Sequence, residues 1–199
     1  MNRKSYNRIA AAWDEARATF GRERGYFDAL LDGMPAPASF LDLGCGTGRP
    51  IAEHLLALGH RVTGVDQAER LLALARERFR EGRWIEARLE DYEPAERFDA
   101  VVCWDALFHL PREVHEGILA RAAGCLDPGG RLAITVGGSE NPAFTDTMFG
   151  ETFFYDSHPP ERVLEILDAL GFDRLVAEFL NPPTPGRDKG RFAIVAAKR

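Results

Sequence analysis

The chain has 199 residues, 45% of them apolar and 28% charged, with a formal net charge of −6. That length suits one domain with one continuous core, because cores divide only beyond roughly 250 residues, and the composition excludes disorder as the dominant state. There is no basic tract or stripe, so a nucleic-acid groove, which demands aligned positive charge, is not expected. Three cysteines, Cys45, Cys103 and Cys125, form neither a disulfide framework nor a zinc pattern; they read as reduced, buried thiols. The first twelve residues lack the apolar run of a signal peptide, and no stretch reaches the length of a membrane span, so no membrane contact and a cytoplasmic location are expected.

Residues 1–36 read as a helical segment anchored by Ile9, Trp13, Phe20, Phe27, Leu30 and Leu31. Phe40 to Leu43 is a short strand that runs into a Gly-rich turn, and Arg49 to Leu58 follows with helical spacing, closed by Gly59. Arg61 to Val65 is a strand, Gln67 to Arg80 a helix, Trp84 to Ala87 a third strand, and Phe98 to Cys103 a fourth that is apolar enough to be buried on both faces. Pro111 to Cys125 is helical, and Arg131 to Val136 is a fifth strand after the turn Asp127-Pro128-Gly129-Gly130. This alternation predicts a parallel sheet with helices on both faces, joined by right-handed crossovers. Residues 138–158 read as a long Gly-, Thr- and aromatic-rich loop. Pro160 to Leu170 is a helix ended by Gly171, and Phe172–Phe179 and Arg191–Ala197 are two last strands around a Pro-rich loop.

The strongest feature is Asp42-Leu43-Gly44-Cys45-Gly46-Thr47-Gly48, at the carboxyl end of the first strand and entering a helix. Ligands of open α/β sheets bind at such a place, and glycines there let a ligand approach the backbone. A dinucleotide fingerprint needs Gly-x-Gly-x-x-Gly, but Gly48 comes one residue early and Arg49 holds the required position. No Gly-Lys-Ser/Thr follows, so this is not a P-loop either. A phosphate-free adenosyl ligand fits the spacing better. Asp66 ends the second strand, where a carboxylate accepts hydrogen bonds from both hydroxyls of a ribose; nicotinamide enzymes use an acid in the same way.

With these residues in view, the chain resembles the class I S-adenosylmethionine-dependent methyltransferases. The resemblance covers residues 6 to about 137 well and the remainder loosely. Leu41 to Gly48 is similar to the family's cofactor loop, Gly64-Val65-Asp66 to its ribose-binding strand end, Phe98 to Cys103 to its fourth strand, and Leu126 to Leu132 to its Pro-Gly-Gly turn before the fifth. The resemblance implies a Rossmann-like, mixed seven-stranded sheet, mostly parallel with the last strand antiparallel. It divides a single domain into a helical cap (1–36), a cofactor-binding core (37–137), a lid loop (138–158) and a C-terminal helix with two strands (159–199). It implies S-adenosylmethionine as cofactor, S-adenosylhomocysteine as product, and a methyl acceptor. Gly44, Cys45, Gly46 and Gly48 would lie under the methionine and ribose portions, and Asp42 would help hold the amino group. Asp66 would take the ribose hydroxyls, Gln67 would lie beside the adenine, the Leu89 amide would flank its edge, and the backbone near Cys103 would meet the methionine moiety. Tyr6 resembles part of an N-terminal motif that closes over the cofactor; a packed aromatic is the alternative.

One departure concerns the adenine. Family members often carry an acid after the third strand, but in Ala87-Arg88-Leu89-Glu90-Asp91 that position is Arg88, which offers no acceptor. Either Glu90 or Asp91 substitutes, or backbone groups read the base. For chemistry, His109 is a base or a substrate hydrogen-bond partner, against the alternative of a histidine satisfied by backbone. His158, in the 138–158 segment, is the second acid/base candidate. Asp105 and His109 stand four apart but have no third ligand, so no metal is expected. Phe144, Phe149, Phe153, Phe154 and Tyr155 either line an apolar substrate pocket or pack a long loop onto the sheet. The acidic balance and short chain favour a small-molecule acceptor over a macromolecular one. A non-catalytic adenosyl-binding protein on the same fold is the further alternative. Oligomeric state is not legible.

Overall fold

The structure is a computed structural model describing residues 2–185 and 189–199. Two helices, α1 (Asn2–Ala16) and α2 (Arg24–Leu31), precede an alternating run: β1 (Ser39–Leu43), α3 (Ile51–Ala57), β2 (Arg61–Asp66), α4 (Glu69–Arg78), β3 (Arg83–Glu86), β4 (Phe98–Cys103), α5 (His115–Gly124) and β5 (Leu126–Gly137). Then come β6 (Phe144–Met148), β7 (Glu151–Tyr155), α6 (Pro160–Ala169), β8 (Phe172–Asn181) and β9 (Arg191–Lys198). The main sheet has seven strands in the order β3-β2-β1-β4-β5-β9-β8. β1 to β5 pair in parallel, and β9 runs antiparallel between β5 and β8. The expected mixed sheet, with its last strand antiparallel, is therefore the fold observed.

The period-2 alternation of the strands decides which helices each face meets. Leu41, Leu43, Val101, Cys103 and Ile134 face Ile118 and Leu119 of α5 and Val163, Ile166 and Leu167 of α6. Their neighbours Phe40, Ala100, Val102 and Ala133 face Phe27 and Leu30 of α2, Leu55 of α3 and Leu72 and Ala75 of α4. Because strand order reverses between β2-β1 and β4, the connections leaving the carboxyl ends of β1 and β4 run to opposite faces of the sheet and leave a cleft between them.

The region 138–158 departs from its reading as a loop. It contains an antiparallel hairpin, β6 with β7, that forms a separate two-stranded sheet. Its two-residue turn is Phe149-Gly150, with φ of 50° and 79°. Both central residues of such a turn need positive φ, which Asn-Gly signals and Phe-Gly does not, so the sequence hid the hairpin. The turn at 127–130 is a smaller departure: it lies within the span of β5 as a local irregularity, where the pairing jumps from Phe98–Leu126 to Ala100–Arg131. The segment 112–114 is a 3-10 turn, so α5 begins only at His115. In the loop after β8, residues 186–188 lie outside the described residues.

Candidate active site

The cleft at the carboxyl ends of β1, β2 and β4 is floored by Asp42, Gly44, Cys45, Gly46 and Asp66 and roofed by Asn2, Tyr6 and Trp13 of α1. The glycine turn folds back on β2, with the Gly44 and Cys45 amides both donating to the Val65 carbonyl at 2.8 and 3.1 Å. Gly44 has φ +82°, and a Cβ there would sit 2.4 Å from that of Ala106, so only glycine leaves the floor open. Asp66 accepts from the Gly46 amide at 3.0 Å and from the Ala68 amide at 2.8 Å, one through each oxygen. Each oxygen keeps a lone pair for a ligand. Burial raises the Asp66 carboxyl above its ordinary range, against the pull of these amides.

Asp42 is 2% exposed. Burial, and then the nearby Asp66, push its carboxyl up to about 7. Among the described residues neither acid has a Lys or Arg within ion-pair distance, whereas the two arginines of the wall are paired elsewhere: Arg17 with Glu23 at 2.8 Å and Arg49 with Asp14 at 3.8 Å. The floor is therefore short of positive charge, which suits a cationic ligand and opposes a pyrophosphate. Cys45 and Cys103 are buried, and burial holds both thiols protonated, Cys103 at about 12. Trp104 is 4% exposed, lines the cleft, and has an Nε1–H with no protein partner. Such an orphan donor is costly unless a ligand takes it.

The roof is held by side chains far apart in sequence. The Asn2 Nδ2 donates to the Phe154 carbonyl at 2.9 Å, and its Oδ1 accepts from the Phe154 amide at 2.8 Å. Ser5 donates to the Thr152 carbonyl at 2.6 Å, Asn7 to Glu69 at 2.7 Å, and Arg78 forms a fork on Asp14 with both bonds at 2.8 Å. α1 thus spans from α4 to the hairpin. Tyr6 packs edge-on against Trp13 and Phe153, and its hydroxyl lies 2.9 Å from His109 Nε2. In the tautomer that gives Nδ1–H to the Phe154 carbonyl, at 3.1 Å, Nε2 accepts from that hydroxyl. Burial lowers His109 to about 4 and raises Tyr6 well above its usual value, so both are neutral at pH 7.

Of the residues singled out in the sequence, Tyr6, Asp42, Gly44, Cys45, Gly46, Asp66, Gln67, Leu89 and His109 line one cleft. Gly48 lies behind it against Phe79, and Cys103 is buried in the core just below Trp104. His158 is not brought to the cleft; it packs edge-on against His115, 5.8 Å between ring centroids. Asp105 and His109 turn to different partners, Arg191 and Tyr6. Arg88 is exposed and pairs with Glu90 Oε1 at 2.6 Å, while Glu90 Oε2 is buried without a partner. Sequence reasoning missed Asn2, Arg17, Trp104 and Leu110 as lining residues. No spacing rule links Asn2 to His109; only the folded packing does.

Residues 40–130 match the family model described as a methyltransferase domain. The ubiquinone biosynthesis O-methyltransferase of Xanthomonas axonopodis pv. citri is 33% identical over 134 residues, covering 64% of this chain and 54% of that protein. The demethylmenaquinone methyltransferase of Tropheryma whipplei is 32% identical over 139 residues, covering 66% of this chain and 57% of that protein. The chain therefore spans little more than half the length of these relatives. Among solved structures, the Burkholderia thailandensis 1,6-didemethyltoxoflavin-N1-methyltransferase, with bound 1,6-didemethyltoxoflavin and S-adenosylhomocysteine, superposes with a TM-score of 0.73 at 23% identity, covering 98% of this chain and 86% of that one.

Proposed function

From a chain that carries a methyltransferase domain on the fold of the class I S-adenosylmethionine-dependent methyltransferases, we propose an enzyme that methylates a small-molecule acceptor. The observation that carries this is the acid pair of buried Asp42 and half-buried Asp66, side by side at two strand ends with no Lys or Arg in ion-pair range among the described residues. S-adenosylmethionine supplies a methyl activated on a sulfonium, and its positive charge answers that deficit. Asp66 holds the ribose hydroxyls with the lone pairs its two backbone amides leave over. Asp42 holds the amino group, and the Gly44–Gly46 backbone gives the ligand close approach. Gly48 keeps the turn tight by packing on Phe79. Trp104 Nε1–H and Arg17 line the same cleft as Asp42, and both are donors that suit a carboxylate.

The adenine lies toward Gln67, Leu89 and the backbone near Leu110. The Arg88 departure is met by Glu90, whose orphan Oε2 supplies the missing acceptor while Arg88 fixes its other oxygen. The Cys103 backbone borders the methionine moiety. Of the two histidines, His109 is the supported one, because it lines the cleft and joins the Tyr6 roof. At about 4 it takes up protons weakly at neutral pH, so its role is to orient through hydrogen bonds rather than to act as a strong base. The small acceptor accords with the quinone-precursor names of the two relatives. What these residues contribute is alignment and exclusion of water. Calorimetric titration with S-adenosylmethionine, S-adenosylhomocysteine and NAD tests the proposal. Binding of both adenosyl ligands, lost in Asp66→Ala and absent for NAD, is expected; a folded protein that binds neither adenosyl ligand overturns it.

A further inference from the structure

A second cavity adjoins the cleft, and none of the roles above uses it. Three rings form one of its walls. Phe144 and Tyr155 stack with centroids 5.2 Å apart and planes at 15°, and Phe108 continues the stack at 6.3 Å and 25°. An offset stack of this kind extends over a further planar ring. The two spaces share a wall: Phe108 faces the cavity while His109, next in the chain, faces the cleft. The other shared element is an ion pair. Asp105 lines the cleft and Arg191 lines the cavity, with Arg191 Nη1 at 3.0 Å from Oδ1 and 2.8 Å from Oδ2.

This pair is built with care at both ends. Asp105 follows β4 with φ 51°, a conformation that non-glycine residues keep only where the surroundings impose it. The surroundings here are Thr135, whose hydroxyl accepts from the Asp105 amide at 2.7 Å and donates to its Oδ1 at 3.2 Å. Arg191 Nε donates to Asn181 Oδ1 at 2.8 Å. The Asp105 side chain is 11% exposed and that of Arg191 38%, so the guanidinium presents an open face to the cavity.

We infer that the second cavity is the acceptor site, that its ligand is a planar aromatic ring bearing a hydroxyl, and that Asp105 and Arg191 receive that hydroxyl; this rests on the cofactor occupying the adjoining cleft. A hydroxyl both donates and accepts, a carboxylate only accepts, and a guanidinium only donates, so the ion pair is its complement. During transfer the acceptor oxygen–carbon bond forms as the sulfur–carbon bond breaks, and that bond's electron pair stays on sulfur, which becomes a neutral thioether. The hydroxyl proton passes to the Asp105 carboxylate, and Arg191 holds the charge that grows on the oxygen. Asp105 is thereby a catalytic residue and Phe144 and Tyr155 set the shape of the acceptor.

The test uses the full chain saturated with S-adenosylhomocysteine, titrated by calorimetry with catechol and with its dimethyl ether. A site built for a hydroxyl rejects the analogue that lacks it, so catechol should bind at least about 10-fold more tightly. Arg191→Ala should erase that difference without changing S-adenosylhomocysteine affinity. Asp105→Asn, which tolerates the same backbone, should keep catechol binding and lose about 100-fold or more in turnover with S-adenosylmethionine. Phe144→Ala, on the hairpin outside the main sheet, should weaken both aromatic ligands alike, and it serves if either ion-pair variant fails to fold. Equal binding of catechol and its ether, or full turnover in Asp105→Asn, overturns the inference. If S-adenosylhomocysteine binds and neither aromatic does, this inference fails and the cofactor reading stands; if S-adenosylhomocysteine does not bind the wild type, the cofactor reading falls too.

Discussion

The floor and the roof of the cleft are built in opposite ways. The floor consists of strand ends and a glycine turn, all between Asp42 and Asp66, and its shape is fixed by backbone conformation. The roof consists of α1, the 3-10 turn at Leu107–His109 and the β6–β7 hairpin behind them, which meet through tertiary hydrogen bonds and ring contacts. A floor of the first kind tolerates almost no change at its glycines. A roof of the second kind is a sum of modest, separable contacts.

The severest way to break this contrast is Gly44→Ala. The added methyl meets Ala106 Cβ at 2.4 Å in a backbone already at φ +82°, so a loss of about 2–4 kcal/mol of stability is expected, with loss of S-adenosylhomocysteine binding. Denaturant melts and calorimetry read both. Asp42→Asn comes next. The wild-type carboxyl, at about 7 in the folded chain, is raised above its unfolded value. The folded state therefore binds more protons between the two values, and stability falls as pH rises from the ordinary carboxylate range through about 7. At pH 8 the variant should be more stable than wild type by roughly 1–3 kcal/mol. It should also bind S-adenosylhomocysteine more weakly. Below about pH 7 the wild type itself should lose affinity as Asp42 protonates, while the variant stays flat. A wild-type affinity that does not change between pH 6 and 8 would remove Asp42 from the amino-group site.

Two smaller changes probe the roof. Asp14→Asn breaks the fork from Arg78, whose hydrogen bond holds the Asp14 carboxyl below its usual range. Amide hydrogens of α1 should exchange faster by about 5-fold, with those of β1 and β4 unchanged. Phe149→Asn should move stability least, upward by about 0.5–1 kcal/mol, because asparagine accepts the positive φ that the exposed Phe149 adopts under strain. A decrease instead would mean that the Phe149 ring makes contacts the hairpin needs.

What was legible in the sequence follows the same division. Asp42, Gly44, Gly46 and Asp66 announced themselves because strand ends and glycine turns are local patterns with a fixed geometric meaning. The order of elements from β1 to β5 was legible for the same reason. The hairpin was hidden because Phe149 stands where a turn residue is expected, and because Asp146 in β6 and the run Phe153-Phe154-Tyr155 in β7 interrupt any period-2 apolar pattern in the sequence. Asn2 and Arg191 gave no signal, since their significance lies in partners up to 152 residues away. Arg88 departs from the family pattern in the sequence, and only the fold shows Glu90, two positions on, with one oxygen tied to it and the other buried without a partner.

α1 grips α4 through Asn7 and Asp14 and grips the hairpin through Asn2 and Ser5. One helix thus lines the cleft and also ties down the hairpin whose Phe144 and Tyr155 line the second cavity. A ligand that binds more tightly when α1 is down strengthens every other interaction that needs α1 down, and by the same factor in each direction. Coupling of the cleft to the hairpin side, without any change of fold, is the expected consequence of this fifteen-residue helix bonding to both.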